Sequence, residues 1–290
     1  MTVLIIASTK DPASIKIKES LLLQSNWEEI DKFYEKPVYK NKKMKNIILV
    51  TTTKRKIKHE NIDKEIETKL RIKTKQIIFI SRHDSKTGLP SLTTHPIGNY
   101  GKAEYGGKNK TLCKSSPRLM TELLRKINNN AIKAETYHKI CFEVTHHGPF
   151  VNTPSLFVEV GSNLEEWNKK EPANIIAKSV LDLLKNYQYE KDFPNDIPVL
   201  IGLGGGHYAP RFTDIVLEKK CAFGHMIPAY QIKNDNINDE ILEKTLKETP
   251  NVKFAYIHRK SLRKPQVRKY KKIFEDKGIK VISSKELEDL

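Results

Sequence analysis

Short apolar runs that end at polar residues recur along the chain, and several of them lead to histidine. In the clearest case, residues 140–144 lead through Thr145 to His146 and His147, which a Gly-Pro pair follows. Four further runs lead to one histidine each: His83, His207, His225 and His258. Short apolar runs bounded by turn residues are typical of buried strands. Because ligands bind beyond the carboxyl ends of strands in open parallel sheets, the pattern predicts one shared site.

Helical periodicity alternates with these strands. Further strands are predicted at residues 3–8, 47–50, 156–162 and 280–282. Helices are predicted over residues 13–23 and 165–186, from Pro117 onward, after Gly206, and near residues 241–246 and 267–277. This alternation, with no repeat and no Gly/Ser linker, predicts an α/β fold with a mixed, mainly parallel central sheet flanked by helices. We expect residues 1–290 to form a single domain.

The segment between His83 and Pro117 has little periodicity and contains several glycines and prolines. A long irregular segment inside a compact domain is usually a functional loop or disordered. This one carries His95 and Asn99, which are residue types that cluster around sites. We therefore expect a loop that closes over a ligand.

A second strong signal is the run of three glycines, residues 204–206, that precedes His207 and Arg211. Successive glycines let the backbone approach a ligand and can turn N–H groups toward an anion. The run lacks the glycine spacing of a dinucleotide-binding fingerprint and the Lys-Ser/Thr of a P-loop. A tight turn between a strand and a helix is the alternative, although three glycines exceed what a turn requires.

The histidines could serve as acid/base groups or as metal ligands. Because no HExxH or Cys/His zinc pattern occurs, distant segments would have to assemble any metal site. Asp84, Glu143 and Glu159 lie near strand ends and could take part. If His146 and His147 continue their strand, their side chains point to opposite faces and have different roles.

The remaining titratable residues suggest no further chemistry. His59 and His138 are interpreted as structural histidines. No GxSxG nucleophile pattern occurs, and the three cysteines are far apart and do not adjoin a histidine motif. We therefore expect no covalent mechanism, and the cysteine pattern favours a reducing cytoplasm. No apolar run has the roughly 20 residues of a membrane span, and no apolar stripe demands a partner, so we expect a cytoplasmic monomer.

The chain is strongly basic, with 52 Lys and Arg against 35 Asp and Glu and a net charge of +17. Such an excess favours a polyanionic partner, although a lysine-rich proteome would also produce it. Two acid-free stretches, residues 36–58 and 253–274, carry nine Lys or Arg each. They form either one basic surface or ordinary solvated faces.

Taken together, these residues resemble the archaeal and plant-type D-aminoacyl-tRNA deacylases. The resemblance covers most of the chain. It is carried by residues 81–83, 95–99, 143–149, 158–162 with Trp167, 204–211 and 224–228. It implies a fold related to nucleoside phosphorylases and peptidyl-tRNA hydrolase. It also implies zinc dependence and hydrolysis of the ester that joins a broad range of D-amino acids, including D-tyrosine, to tRNA.

The resemblance and the residue pattern together give a set of site candidates. The candidates for catalysis are His146, His83, His207 and Glu143, and the three histidines are also the candidate zinc ligands. The candidates for substrate and tRNA binding are Arg82, His95, Asn99, Thr145, His147, Gly204, Gly205, Gly206, Arg211 and His225. The glycine amides would hold a phosphate or a developing oxyanion, and Arg82 or Arg211 would hold a phosphate or the end of the substrate.

Two other functions would account for parts of the pattern. A nucleoside phosphorylase-like enzyme or another small-molecule hydrolase would use the same histidine and glycine cleft, but it would have little need of the charge. A non-catalytic RNA-binding protein would explain the charge but not the histidines at the strand ends, and the common RNA-binding motifs are absent.

Overall fold

A computed structural model describes residues 2–185, 197–234 and 236–290. Its strands are β1 (Thr2–Ser8), β2 (Trp27–Phe33), β3 (Lys36–Asn41), β4 (Ile47–Thr52), β5 (Thr74–Asp84), β6 (Ser91–His95), β7 (Gly98–Asn99), β8 (Thr111–Leu112), β9 (Lys139–Phe142), β10 (Ser155–Ser162), β11 (Val199–Leu203), β12 (Ala222–Ile227), β13 (Val252–Ile257) and β14 (Lys280–Val281).

The helices lie mostly between the strands. They are α1 (Pro12–Gln24), α2 (Ile62–Leu70), α3 (Pro117–Lys133), α4 (Leu164–Asn168), α5 (Lys170–Leu184), α6 (Pro210–Glu218), α7 (Ala229–Lys233), α8 (Asp239–Lys247) and α9 (Lys264–Asp276). Short 3₁₀ turns occupy Lys56–Lys58, Arg259–Ser261 and Ser284–Glu286. None of the helices in the described ranges combines the length and apolar character that a bilayer crossing needs.

The larger sheet is mixed. In the part of the chain that the structure describes, it has eight strands in the order β2-β3-β4-β1-β5-β10-β6-β9. Strands β4, β1, β5 and β10 run parallel, β6 is antiparallel to β10, and β9 is parallel to β6. The predicted α/β class with a mixed, mainly parallel sheet is confirmed.

Successive side chains of a strand point to opposite faces, and both faces are buried at the central strands β1, β4 and β10, whereas the edge strand β2 is largely exposed. Val3 and Ile5 of β1 pack with α1, α3 and α5, whereas Leu4 and Ile6 pack with α2. Strands covered on both faces are expected to be apolar throughout, as β1 and β4 are. The predicted flanking helices are therefore confirmed.

A smaller, fully parallel sheet has the order β12-β11-β13-β14. Leu200 and Phe223 of this sheet belong to the same apolar cluster as Val158 of β10. Ile201 and Ala255 instead pack with α8 and α9. The two sheets therefore share a core, and a single domain over residues 1–290 remains our prediction.

Several local predictions need correction. The helix predicted over residues 165–186 is two helices, because Lys169 has an extended backbone (φ −70°, ψ 140°) between α4 and α5; its last residue, Asn186, lies outside the described residues. The segment predicted as one long loop after His83 contains β6, β7 and β8. The hairpin β2–β3 and helix α2 were not predicted.

Candidate active-site cleft

A cleft opens beyond the carboxyl ends of β5 and β10, where the polar ends of several strands meet. Its volume is about 630 Å³, within the ~300–1,000 Å³ typical of small-molecule sites. At one end it is lined by His83, His146, His147, His207 and Glu159. The predicted convergence of histidines at strand ends is therefore confirmed for β5, for the segment after β9 and for the segment after β11.

Glu143 lies at the centre of this cluster. Its amide donates to the Thr94 carbonyl at 3.0 Å, which fixes it beside the end of β6. One carboxylate oxygen, Oε2, lies 2.9 Å from His207 Nε2, 3.1 Å from His83 Nδ1 and 3.5 Å from His146 Nε2. Burial acts to raise the pKa of Glu143, but the hydrogen bonds from His207 and His83 hold it well below its usual range. The side chain is therefore a buried anion in contact with three histidines.

His83 is held by partners on both ring nitrogens. Its Nδ1 faces Glu143 and also lies 3.5 Å from Glu159 Oε2, while its Nε2 lies 3.1 Å from the Tyr208 hydroxyl. Burial lowers the pKa of His83, but the two carboxylates outweigh it and raise the pKa to about 11. In the same way, the neighbouring His83 and His95 rings outweigh burial and lower the pKa of Glu159 to about 2; His95 Nε2 lies 3.7 Å from Glu159 Oε2, too far for a hydrogen bond.

His95, His146 and His147 form a second group, each anchored by its own Nδ1. These nitrogens lie 3.1, 2.8 and 2.6 Å from the carbonyl oxygens of residues 96, 144 and 148, respectively. A carbonyl can only accept, so each Nδ1 carries the proton and the Nε2 of a neutral ring keeps its lone pair. Burial and neighbouring histidines lower the pKa of His146 well below its usual value and that of His147 to about 4.

The prediction that His146 and His147 point to opposite faces is wrong. Strand β9 ends at Phe142, and His147 has a left-handed backbone with φ 44°, so strand alternation does not continue through the pair. The two ring centroids are 4.4 Å apart, and each lies within 4.8 Å of the His95 ring. Both side chains therefore enter the same cleft.

Three sets of side chains in the described ranges have the spacing of metal ligands. They are His95 with His146 and His147, His83 with Glu143 and His207, and His95 with Glu143 and Glu159. The predicted zinc set of His83, His146 and His207 is not one of these sets. Its members are divided between two of them: His146 belongs to the first set, and His83 and His207 belong to the second.

The prediction that His95 lies on a closing loop is wrong. His95 is the last residue of the buried strand β6 and has no exposed surface. Asn99 does face the cleft, and its side-chain amide donates to the Gly106 carbonyl at 2.9 Å, which fixes the following loop. Arg82 also lines the cleft, and its guanidinium lies 4.7 Å from the centre of the Trp167 ring. Arg82 and Asn99 therefore remain candidates for binding.

Thr145 and His225 are in the interior rather than in the cleft lining. His225 Nε2 lies 2.9 Å from the Cys113 carbonyl and its Nδ1 3.1 Å from the Thr145 hydroxyl, which also accepts the Met226 amide. Burial lowers the pKa of His225 to about 4. These contacts join β12 to the segment after Glu143, and both side chains are buried there.

The glycine turn, residues 204–206, is also bonded within the fold. The amide of Gly204 donates to the Ile227 carbonyl at 2.8 Å, and that of Gly205 donates to the Ser261 hydroxyl at 2.8 Å. Arg211 bonds Tyr256 and Ser284 and is outside the cleft lining. The predicted anion nest is therefore wrong for Gly204 and Gly205, and the turn instead positions His207.

His59 and His138 have the structural roles predicted for them. His59 Nε2 lies 2.7 Å from Glu65 and His138 Nε2 lies 2.9 Å from Glu166, both away from the cleft lining. In each case burial lowers the pKa of the histidine.

A buried ion pair at the cleft had no signal in the sequence. Lys56 Nζ lies 2.7 Å from Asp11 Oδ2, and both side chains line the cleft. The same oxygen accepts from the Arg82 amide and the Ser81 hydroxyl. Long-range pairing of this kind leaves no periodic pattern in the sequence.

Further cations surround the opening. They are Lys10, Arg55, Lys86 and Lys102. Arg55 and Lys56 come from the first acid-free stretch, whereas residues 253–274 contribute nothing to the cleft lining in the described part of the chain.

Comparison with known proteins gives a consistent picture. A sequence model described as D-aminoacyl-tRNA deacylase matches residues 70–282. The D-aminoacyl-tRNA deacylase of Thermococcus onnurineus is 41% identical over 229 residues, which are 78% of this chain and 80% of that protein. The D-aminoacyl-tRNA deacylase of Pyrococcus furiosus is 36% identical over 96% of this chain and 98% of that protein. The crystal structure of a conserved protein of unknown function, AF0625, superposes with a TM-score of 0.87 at 31% identity, covering 99% of this chain and 98% of that one.

Proposed function

The chain belongs to the D-aminoacyl-tRNA deacylase family, and we propose that it hydrolyses the ester of D-aminoacyl-tRNA in the histidine-lined cleft. The products are a free D-amino acid and tRNA, so D-amino acids are kept out of translation. The observation that carries the proposal is the buried Glu143 carboxylate in contact with His83, His146 and His207. A broad range of D-amino acids, including D-tyrosine, is the expected substrate set.

His146 is the best-placed general base. Its Nδ1–H is bonded to the Val144 carbonyl, its Nε2 faces the cleft beside Glu143, and its lowered pKa keeps the ring neutral. The ring would take a proton from water as the oxygen attacks the ester carbonyl carbon. Cleavage of the bond to the ribose oxygen then returns a proton to that oxygen. Glu143 would stabilise the imidazolium that forms.

The residues present also fit a zinc ion. Glu143 Oε1 and His95 Nε2 are buried without a hydrogen-bond partner among the described residues, and His95, His146 and His147 are oriented through their Nδ1 atoms as zinc-ligating histidines are. As the alternative to a histidine base, because a metal-bound His146 would keep no lone pair to accept a proton, we propose His95, His146 and His147 as one ligand set and His83, Glu143 and His207 as a second. Zinc bound there would polarise the ester carbonyl as a Lewis acid.

The charge and shape of the cleft suit a tRNA end. Lys10, Arg55, Lys86 and Lys102 at the opening would neutralise backbone phosphates, which makes binding weaken with salt. The two enantiomers of an amino acid carry the same functional groups, so rejection of the L-ester must come from the shape of the pocket. We further propose that the protein acts as a cytoplasmic monomer.

The test is release of labelled tyrosine from D-Tyr-tRNA and from L-Tyr-tRNA, each with and without a zinc chelator. We expect rapid loss of the D-ester alone, slowed strongly by the chelator. Survival of both esters would contradict the deacylase proposal. Chelator-insensitive hydrolysis of the D-ester would contradict the zinc assignment and leave the histidine base.

The family membership does not favour the alternative of a nucleoside phosphorylase-like or other small-molecule hydrolase. That alternative would be supported by phosphate-dependent release of a free base from nucleosides, with no loss of either aminoacyl ester.

A further inference from the structure

We propose that Tyr105 at the mouth of the cleft is a stacking platform for a nucleobase, and that it receives the 3′-terminal adenine of the substrate. This inference rests on the proposed function, since it assigns a binding subsite for that substrate. In an aminoacyl-tRNA the ester is made on the ribose of the terminal adenosine. The base is therefore one sugar away from the reacting carbonyl, and a site for it is expected beside the chemistry.

Tyr105 is an exposed aromatic side chain at the cleft, where a ligand could contact its ring. It lines the cleft and is 66% exposed, whereas Tyr100 in the same segment is 1% exposed. Across residues 2–185, 197–234 and 236–290, its ring has no aromatic or cationic partner. A free aromatic face next to a polar site is what a base needs for stacking, which tolerates any base because each has a π-face.

The backbone beneath Tyr105 is fixed rather than loose. The Tyr105 carbonyl accepts from the Gly148 amide at 3.3 Å, and the Gly107 amide donates to Glu60 Oε1 at 2.7 Å. The contact with Gly148 is so close that a Cβ there would lie 2.1 Å from the Gly107 nitrogen. With the backbone held, binding needs to order only the Tyr105 side chain, which lowers the entropy cost and favours affinity.

These bonds also tie the platform to the catalytic cluster. Gly148 follows His147 directly, so the residue that holds Tyr105 is the neighbour of a cluster histidine. The Asn99 side chain holds the same loop through the Gly106 carbonyl at 2.9 Å. Direct hydrogen bonds thus fix the position of the Tyr105 backbone relative to the cluster.

Charge at the rim agrees with a nucleotide rather than an apolar ligand. Lys102 lies on the same loop, and Arg55 and Lys10 line the same opening. Glu104 also lines the opening, so the rim is not uniformly basic. Cations beside an aromatic face match the two parts of a nucleotide end, its phosphate and its base.

The test is a binding cycle that does not depend on turnover. Uncharged tRNA, with and without its 3′-terminal adenosine, is titrated against the wild-type protein and the Tyr105→Ala variant. We expect removal of the adenosine to raise the Kd of the wild-type protein about 10-fold, within the range of alanine substitutions at base-stacking aromatics. It should change the Kd of Tyr105→Ala about twofold or less, because the stacking surface is already missing.

Two further variants serve as controls. Tyr105→Phe keeps the ring and should behave as the wild-type protein. Tyr137→Ala removes another exposed tyrosine, 58% exposed and outside the cleft lining, and should also leave the cycle unchanged. The inference is overturned if adenosine removal weakens the wild-type protein and Tyr105→Ala equally. Failure of the deacylase proposal would instead appear as a wild-type protein that binds tRNA but leaves D-Tyr-tRNA intact.

Discussion

Two regions of this molecule look equally functional in the sequence, but among the described residues only one of them has buried side-chain atoms without a hydrogen-bond partner. The histidine cluster around Glu143 contains buried atoms without hydrogen-bond partners among the described residues, including Glu143 Oε1 and His95 Nε2. At the glycine turn, the amides of Gly204 and Gly205 and the guanidinium of Arg211 are bonded within the fold. Buried polar groups are normally satisfied, so the exceptions mark a place for a ligand.

The comparison shows that polar residues beyond strand ends are better candidates for a ligand site when the fold leaves some of their buried polar atoms without a hydrogen-bond partner. The glycine turn still contributes indirectly. The Val144 amide donates to the His207 carbonyl at 3.0 Å, which holds His207 beside Glu143. The turn thus positions one side chain of the cluster, and the amides of Gly204 and Gly205 are used within the fold.

The largest expected effect comes from neutralising the centre of the cluster. Glu143→Gln keeps the shape of the side chain but removes the charge that stabilises a protonated histidine. We expect turnover of D-Tyr-tRNA to fall about 10²- to 10⁴-fold, the range for loss of acid–base catalysis. Single-turnover rates measure it, and circular dichroism establishes that the variant is folded.

The matched control for this variant is Glu65→Gln. Glu65 also bonds a histidine, His59, at 2.7 Å, but it lies outside the cleft lining. Loss of the Glu65 charge in Glu65→Gln should leave the turnover of D-Tyr-tRNA unchanged. Equal rates for Glu143→Gln and the wild-type protein would remove Glu143 from the mechanism.

A smaller effect is expected in the pH dependence of stability. Burial lowers the pKa of His225 from 6.5 to about 4, so between these values the unfolded chain binds a proton that the folded protein does not. The contribution of His225 to the free energy of unfolding is therefore complete above pH 6.5, and it falls by about 3 kcal/mol as the pH drops toward 4. His225→Gln cannot titrate, and its thermal midpoint should fall less over this range than that of the wild-type protein. Parallel curves for the two proteins would contradict a neutral buried His225.

The smallest effect is expected at the glycine turn. Gly205 has φ +86°, and a Cβ there would meet only His258 Nδ1 at 3.7 Å, so Gly205→Ala should cost about 1 kcal/mol of strain. Gly206→Ala is the matched control, because Gly206 lies outside the left-handed region and its Cβ would meet the Tyr208 carbonyl at 3.9 Å. Both variants should keep wild-type turnover. A large loss of turnover in Gly205→Ala would place the turn in the site.

The parts predicted from the sequence were those that depend on local patterns. Apolar runs located most of the long strands, and the histidines that follow them located His83, His146 and His207 in one cleft. Helix α3 begins at Pro117, as predicted, and helix α6 (Pro210–Glu218) follows the glycine run, where a helix was predicted without a stated start.

The missed parts depend on pairings distant in sequence or on single backbone angles. His95 was named as a site candidate, but strand β6, which carries it between β10 and β9, was missed; its only local signal was the β-branched pair Thr93-Thr94. The left-handed conformation of His147 has no sequence signal, since such residues are usually glycine or asparagine. The anion nest was predicted wrongly because the Gly204 and Gly205 amides donate to the Ile227 carbonyl and the Ser261 hydroxyl, which are distant in sequence.

The most direct test of the account compares His146→Ala with Arg211→Ala on D-Tyr-tRNA, with single-turnover hydrolysis and tRNA affinity measured in parallel. The account predicts that His146→Ala abolishes hydrolysis while tRNA binding stays largely intact, and that Arg211→Ala hydrolyses the ester at the wild-type rate. Retained turnover in His146→Ala, or its loss in Arg211→Ala, would contradict the claim that the chemistry lies in the histidine cluster and not at the glycine turn.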